Sequence, residues 1–177
     1  MSLAAGPDAA LGAKRHIFAM LDVDGDGVIS MPEYVSRPTR LAQALGLDVE
    51  EPAVMAAITA HEQLYAAMDA DGDGRVTFEE YANWAGADTF DTSCRPALGS
   101  LFDLADADGD GHLDREEFTL LRSALGNAVE RARAAFDVLD ADGDGRVGRE
   151  EYLGSIRSFV SQGASLMSET LHGDAKV

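Results

Sequence analysis

One twelve-residue pattern occurs four times in this 177-residue chain, and it constrains the fold more than any other feature of the sequence. Aligned on the first aspartate, the copies read DVDGDGVISMPE from Asp22, DADGDGRVTFEE from Asp69, DADGDGHLDREE from Asp106 and DADGDGRVGREE from Asp140. Aspartates stand at positions one, three and five, glycines at four and six, and a glutamate at twelve. Three carboxylates at alternate positions repel one another, and two interleaved glycines loosen the backbone, so the segment is unfavourable on its own. A positive charge from outside the chain has to offset that cost.

The repeating unit is longer than the twelve residues. Aromatic residues lie four positions before each copy (Phe18, Tyr65, Phe102, Phe136) and one after it (Tyr34, Tyr81, Phe118, Tyr152). The upstream flanks carry apolar residues at helical spacing, which predicts a helix entering each loop. Downstream, Ser30, Thr77 and Asp114 each precede a glutamate by three residues, the capping-box spacing that starts a second helix. A lone apolar residue at position eight, Ile29, Val76, Leu113 or Val147, suits a short strand that pairs one loop with its neighbour. Four units therefore make two pairs.

The formal charge of −18 is concentrated in these loops, which hold 20 of the 32 acids and 4 of the 14 bases. The rest of the chain is nearly balanced, so the acidity marks four local sites rather than an acidic tail, and nucleic acid is excluded as a partner. Cys94 is the only cysteine and can form no internal disulfide. The N-terminal residues MSLAAGPDAALGAKR put their basic residues after the small ones, the reverse of a secretory signal, and no apolar run reaches the roughly 18 to 20 residues that span a bilayer. A cytoplasmic monomer with no membrane partner is expected.

A cation that prefers hard oxygen, accepts six to eight ligands and fits a twelve-residue loop is Ca²⁺, bound at about 2.3 to 2.6 Å. The candidate carboxylate ligands are Asp22, Asp24, Asp26 and Glu33 in the first loop, and Asp69, Asp71, Asp73 and Glu80 in the second. In the third they are Asp106, Asp108, Asp110 and Glu117, and in the fourth Asp140, Asp142, Asp144 and Glu151. Position seven (Val28, Arg75, His112, Arg146) offers its backbone carbonyl, and position nine acts directly or through water as Ser30, Thr77 and Asp114. Gly148 has no side chain to offer there, so the fourth loop is expected to attract Ca²⁺ least and the third most. Up to four Ca²⁺ ions are implied.

All four windows resemble the EF-hand motif, with aspartate at one, three and five, glycine at six and glutamate at twelve. Dockerin-type calcium modules share the loop but lack an entering helix and repeat it at shorter intervals than the 47, 37 and 34 residues found here. Across residues 14 to about 160 the chain resembles the four-EF-hand superfamily, and its long first interval is similar to the sarcoplasmic calcium-binding proteins and bacterial relatives of the calerythrin type. That resemblance implies an all-α fold of four helix-loop-helix units in two pairs, with short antiparallel β pairing between loops and compact packing of the two halves. It also implies a calcium buffer. Family members often carry degenerate loops, whereas none of these four is degenerate.

The expected organisation is a flexible N-terminus over 1–13, one pair over 14–90, a second over 91–160 and a tail over 161–177. Met20, Met31, Met55 and Met68 could line a target groove, but their spacing favours core filling, so the expected function is buffering, with a sensor that docks an unidentified protein target as the alternative. Pro38 is expected to end or kink its helix early, and Gly86 and Pro96 to prevent one long helix between the halves. HEQLY at 61–65 lacks the second histidine of a zinc-protease motif and reads as plain helix, no nucleophile motif occurs, and no enzyme activity is expected. Cys94 reads as a linker cysteine. The tail either is disordered or covers apolar surface with Leu166, Met167 and Leu171.

Overall fold

The computed structural model describes residues 7–163 together with residues 165, 167, 170 and 171. Each repeat folds as helix, loop, helix. The first loop lies between α1 (Pro7–Leu21) and α2 (Met31–Leu45), the second between α3 (Pro52–Met68) and α4 (Phe78–Trp84). A short turn α5 (Ala87–Thr89) and a π-helical turn over Phe90–Cys94 lead into α6 (Arg95–Ala105). The third loop joins α6 to α7 (Arg115–Ala124), and the fourth joins α8 (Val129–Leu139) to α9 (Arg149–Gln162).

Each exiting helix starts where a position-nine residue and the position-twelve glutamate cap it. Ser30 Oγ accepts the Glu33 amide while Glu33 Oε2 accepts the Ser30 amide, and Thr77 with Glu80 does the same. Asp114 Oδ1 accepts the amides of Glu116 and Glu117. In the fourth loop Gly148 leaves only half a box, its amide donating to Glu151 Oε2 at 2.8 Å.

The loops pair as the lone apolar residues predict. Strands β1 (Val28–Ser30) and β2 (Arg75–Thr77) are antiparallel with Ile29 opposite Val76, and β3 (His112–Leu113) and β4 (Val147–Gly148) are antiparallel with Leu113 opposite Val147. All four of these residues are fully buried. Below the strands, the flanking aromatics pack crosswise within each pair. Phe18 meets Tyr81 and Tyr65 meets Tyr34 at ring separations of 5.9 and 6.1 Å, while Phe102 meets Tyr152 and Phe136 meets Phe118 at 5.7 Å in both cases. The aromatic that precedes one loop thus packs on the aromatic that follows its partner loop, which locks two hands into one unit.

The two pairs share their cores. One buried cluster joins Leu41, Ala42, Val54 and Ala57 of the first half to Leu101, Phe102, Phe118, Phe136 and Leu153 of the second. The other joins Phe18, Tyr34, Tyr65 and Tyr81 to Phe90, Ala97 and Val160. Compact packing of the halves follows directly from this exchange of apolar residues.

Four features differ from or refine the expectations. The helix carrying Pro38 does not end there but continues to Leu45, where Gly46 closes it in the left-handed conformation at φ 71°. An interior proline costs about 3 kcal/mol, and burial of Pro38 itself and of Leu41 and Ala42 in the following turn offsets that cost. Residues 7–13, expected to be flexible, are helical, and Ala13 is buried. The linker breaks at Gly86, as expected, whereas Pro96 sits in the first turn of α6, where its missing amide is harmless. In the tail, Met167 and Leu171 are buried in the larger core cluster; Leu166 lies outside the described residues.

Candidate metal centres

In every loop the glycine at position six takes a left-handed conformation, with φ between 81° and 91° at Gly27, Gly74, Gly111 and Gly145, which a side chain would strain. The turn this allows points the glycine amide back at the first aspartate. Those amides donate to Oδ2 of Asp22, Asp69, Asp106 and Asp140 at 2.9 to 3.0 Å. The position-seven amides of Val28, Arg75, His112 and Arg146 donate to Oδ1 of Asp26, Asp73, Asp110 and Asp144 at 2.8 to 3.0 Å. Backbone donors thereby hold the carboxylates facing inward against their mutual repulsion.

Four oxygen clusters result. In the first, Asp22, Asp24 and Glu33 each bring a carboxylate oxygen within 4.8 Å of the others; the second comprises Asp69, Asp71 and Asp73, the third Asp106, Asp108 and Glu117, and the fourth Asp140, Asp142 and Asp144. Two ligands on opposite sides of a Ca²⁺ ion at about 2.3 to 2.6 Å lie about 5 Å apart, so these spacings suit the ion. The donors are all oxygen, the set that Ca²⁺ selects over thiolate- or imidazole-seeking metals. Among the loop carboxylates, two buried oxygens lack a hydrogen-bond partner of ordinary geometry, Asp140 Oδ1 and Glu80 Oε1. Both belong to the proposed ligand residues, and a cation would satisfy them.

The remaining predicted residues are placed less simply. Asp26 and Asp110, at position five, fall outside the first and third clusters, and each faces an arginine of the partner loop. Arg75 lies 3.7 Å from Asp26, and Arg146 2.8 Å from Asp110. Glu80 and Glu151 fall outside the second and fourth clusters; their Oε2 atoms accept the amides of Thr77 and Gly148. Ser30, Thr77 and Asp114 serve as helix caps. Val28, Arg75 and His112 open the strands, and Arg146 immediately precedes β4.

The electrostatics are uneven across the loops. The Asp26 amide donates to Asp24, yet desolvation and the neighbouring charges of Asp26, Glu33 and Asp22 raise the Asp24 pKa above its ordinary value. Desolvation pushes Glu33 the same way, but donors from Ser30, Asp24 and Val23 outweigh it and hold Glu33 below the usual range. Glu80 is also lowered, first by the Thr77 amide and hydroxyl. In these two position-twelve glutamates the backbone and hydroxyl donors thus favour the charged form before any metal arrives.

Sequence reasoning missed the cross-loop arginines. The signal was present: strand pairing places Arg75 opposite Ser30, four residues beyond Asp26. It also missed that the Tyr65 hydroxyl touches both loops of its pair, 3.0 Å from the Ile29 carbonyl and 2.8 Å from that of Gly74. Only one of the four entering aromatics carries a hydroxyl at this position.

The fold and its four acidic loops define a calcium-binding protein of the EF-hand class. Residues 95–166 match the family described as an EF-hand domain pair, and residues 15–36 and 66–83 match the family described as EF hand. The chain belongs to the EF-hand superfamily. Among solved structures, a calcium-binding protein of Streptomyces coelicolor, described as a basis for prokaryotic calcium-mediated regulation, is 27% identical with a TM-score of 0.73, over 88% of this chain and 99% of that one. Calcium-loaded apo-aequorin from Aequorea victoria is 21% identical with a TM-score of 0.68, over 86% of this chain and 90% of that one. The calcium-loaded apo form of coelenterazine-binding protein from Renilla muelleri is 21% identical with a TM-score of 0.68, over 98% of this chain and 99% of that one. These last two share the fold. No curated protein sequence matches the chain.

Proposed function

We propose that this protein binds Ca²⁺ reversibly in all four loops, through the carboxylates at positions one, three, five and twelve and the carbonyl at position seven, and that it acts as a calcium buffer without catalytic activity. The observation that carries the buffering is the burial of the apolar helix faces. The crossed aromatics and Met68 are buried in cores shared between the two halves. The large apolar side chains left exposed among the described residues, Leu11, Val23, Val49, Met55 and Val129, are scattered through the sequence. A calmodulin-like response requires an apolar groove that opens on metal binding, and these faces are already committed to each other. The same reading places the protein in the cytoplasm as a monomer, with a lone cysteine that can form no internal disulfide; no described helix is long and apolar enough to cross a membrane.

Fluorescence of a hydrophobic dye, titrated with Ca²⁺, tests the reading. A buffer gives little change while calorimetry records filling of the sites. A large calcium-dependent rise overturns it in favour of the second reading, a sensor that docks a protein target, which the calcium-mediated regulation ascribed to the Streptomyces coelicolor protein supports.

A further inference from the structure

The chain carries 32 acidic residues, yet the buried Arg122 has no carboxylate partner among the described residues. By contrast Arg75, Arg95, Arg115, Arg146, Arg149 and Arg157 all pair with carboxylates near the surface. Arg122 is 5% exposed; its Nη1 donates to the Tyr152 hydroxyl at 3.0 Å, and its Nε is buried with no hydrogen-bond partner. A second guanidinium, Arg37, shares the site and is also without a carboxylate partner among the described residues. Desolvation, the largest influence, pulls Arg37 below the ordinary arginine value, and the charge of Arg122 adds to the effect. A cation at the end of α7 is favoured by the helix dipole, but that accounts for neither the unpaired Nε nor a second guanidinium beside it.

Both arginines line a cavity of about 100 Å³, measured as room for the centres of water-sized molecules. A single water needs roughly 10 to 15 Å³ on this measure, so the space holds something larger. Most of the wall is apolar, including Leu64, Met68, Trp84, Phe90 and Val160. None of the residues lining it is a carboxylate. Cys94, also in the wall, is pushed up to about 12 by burial and stays a neutral thiol. The cavity lies where α1, α2, α3 and α4 of the first half meet α7 and α9 of the second, apart from the loop carboxylates.

We propose that this cavity binds a small amphiphilic anion, an apolar body seated against Leu64, Trp84 and Val160 with a single carboxylate held between Arg37 and Arg122. A planar guanidinium matches a carboxylate edge to edge with two parallel donors, and Arg37 and Arg122 both line this cavity. Two cations without an anion repel each other in a low-dielectric site, and one carboxylate relieves both. An uncharged apolar guest fills the space but leaves the guanidiniums as they are. The head is therefore what the site selects.

Octanoate and octanol, matched in length and differing in charge, test this on the full-length calcium-loaded protein. Trp84 is the chain's single tryptophan and lies in the wall, so its fluorescence reports occupancy directly. Octanoate is expected to bind one per chain, roughly tenfold or more tighter than octanol. Arg122→Gln and, separately, Arg37→Gln are each expected to reduce that preference while octanol binding persists, and Ala85→Leu, which fills the cavity, to weaken both ligands. Far-ultraviolet circular dichroism and a thermal melt establish which variants fold, and either arginine variant suffices for the comparison. Equal affinity for octanoate and octanol, no binding of octanoate, or an octanoate preference that survives in a folded arginine variant overturns the proposal.

Discussion

Arg146 of the fourth loop places Nη1 2.8 Å from Oδ2 of Asp110 in the third loop, so a residue expected to give its backbone carbonyl to one site holds a carboxylate expected to serve the other. Arg75 stands in the same relation to Asp26, more loosely at 3.7 Å. Each pair of loops is therefore coupled by charge as well as by its strands. Arg146→Gln should release Asp110 and tighten Ca²⁺ binding at the third site by up to about fivefold, the scale of an exposed ion pair worth roughly 0 to 1 kcal/mol. Calorimetric titrations at low and high salt check this. The gain should shrink in concentrated salt, where such a pair is screened, and a gain that does not depend on salt contradicts the assignment.

Tyr65 ties the first two loops together through the carbonyls of Ile29 and Gly74. Tyr65→Phe keeps the ring packing on Tyr34 and removes only the hydroxyl. Chemical denaturation should show a loss of about 1 to 2 kcal/mol, typical of leaving buried acceptors unpaired. Ca²⁺ titration of the first pair should also become less cooperative. Unchanged cooperativity would assign the coupling to β1 and β2 alone.

Gly148 is the weak cap. Its backbone angles, φ −72° and ψ 156°, resemble those of Ser30, at −90° and 157°. A side chain there would approach Glu151 Oε2, the atom that Ser30 Oγ bonds in the equivalent Glu33 at 2.6 Å. Gly148→Ser should therefore complete the capping box and stabilise the metal-free protein by about 0.5 to 1 kcal/mol, read as a higher melting temperature. A lower melting temperature would mean that the new side chain crowds Glu151 instead of bonding it.

His61 is fully buried in α3, with Nδ1 2.7 Å from the Ala57 carbonyl and its ring against Tyr34. Desolvation, with the Arg37 charge adding, lowers its pKa to about 4. The unfolded chain takes up this proton near the ordinary value of about 6.5, so the stability tied to the neutral ring is complete above that pH. It is lost as pH falls from about 6.5 towards 4. Between pH 6.5 and 5 the loss should approach roughly 2 kcal/mol. Denaturation of wild type and His61→Gln at saturating Ca²⁺ checks it. The variant should show a flatter profile in this window, and parallel profiles would mean that His61 protonates without penalty.

The four loops, their flanking helices, the β pairing and the class of metal were all written in local sequence. A ligand loop depends on residues within twelve positions, and a cap on residues three apart, so spacing alone carries the information. The crossed aromatics could be named before their partners were known. What the sequence did not decide were relations between distant segments. Pro38 stays inside its helix because the tertiary core rewards burial of the turn beyond it. Met167 and Leu171 pack across the halves, and Arg146 crosses to the third loop, because the strand register brings it there. Arg37 and Arg122 lie 85 residues apart in the chain and meet at one cavity only after the two halves share their cores. Periodicity reports which face of a helix is apolar, but only packing selects the face it meets.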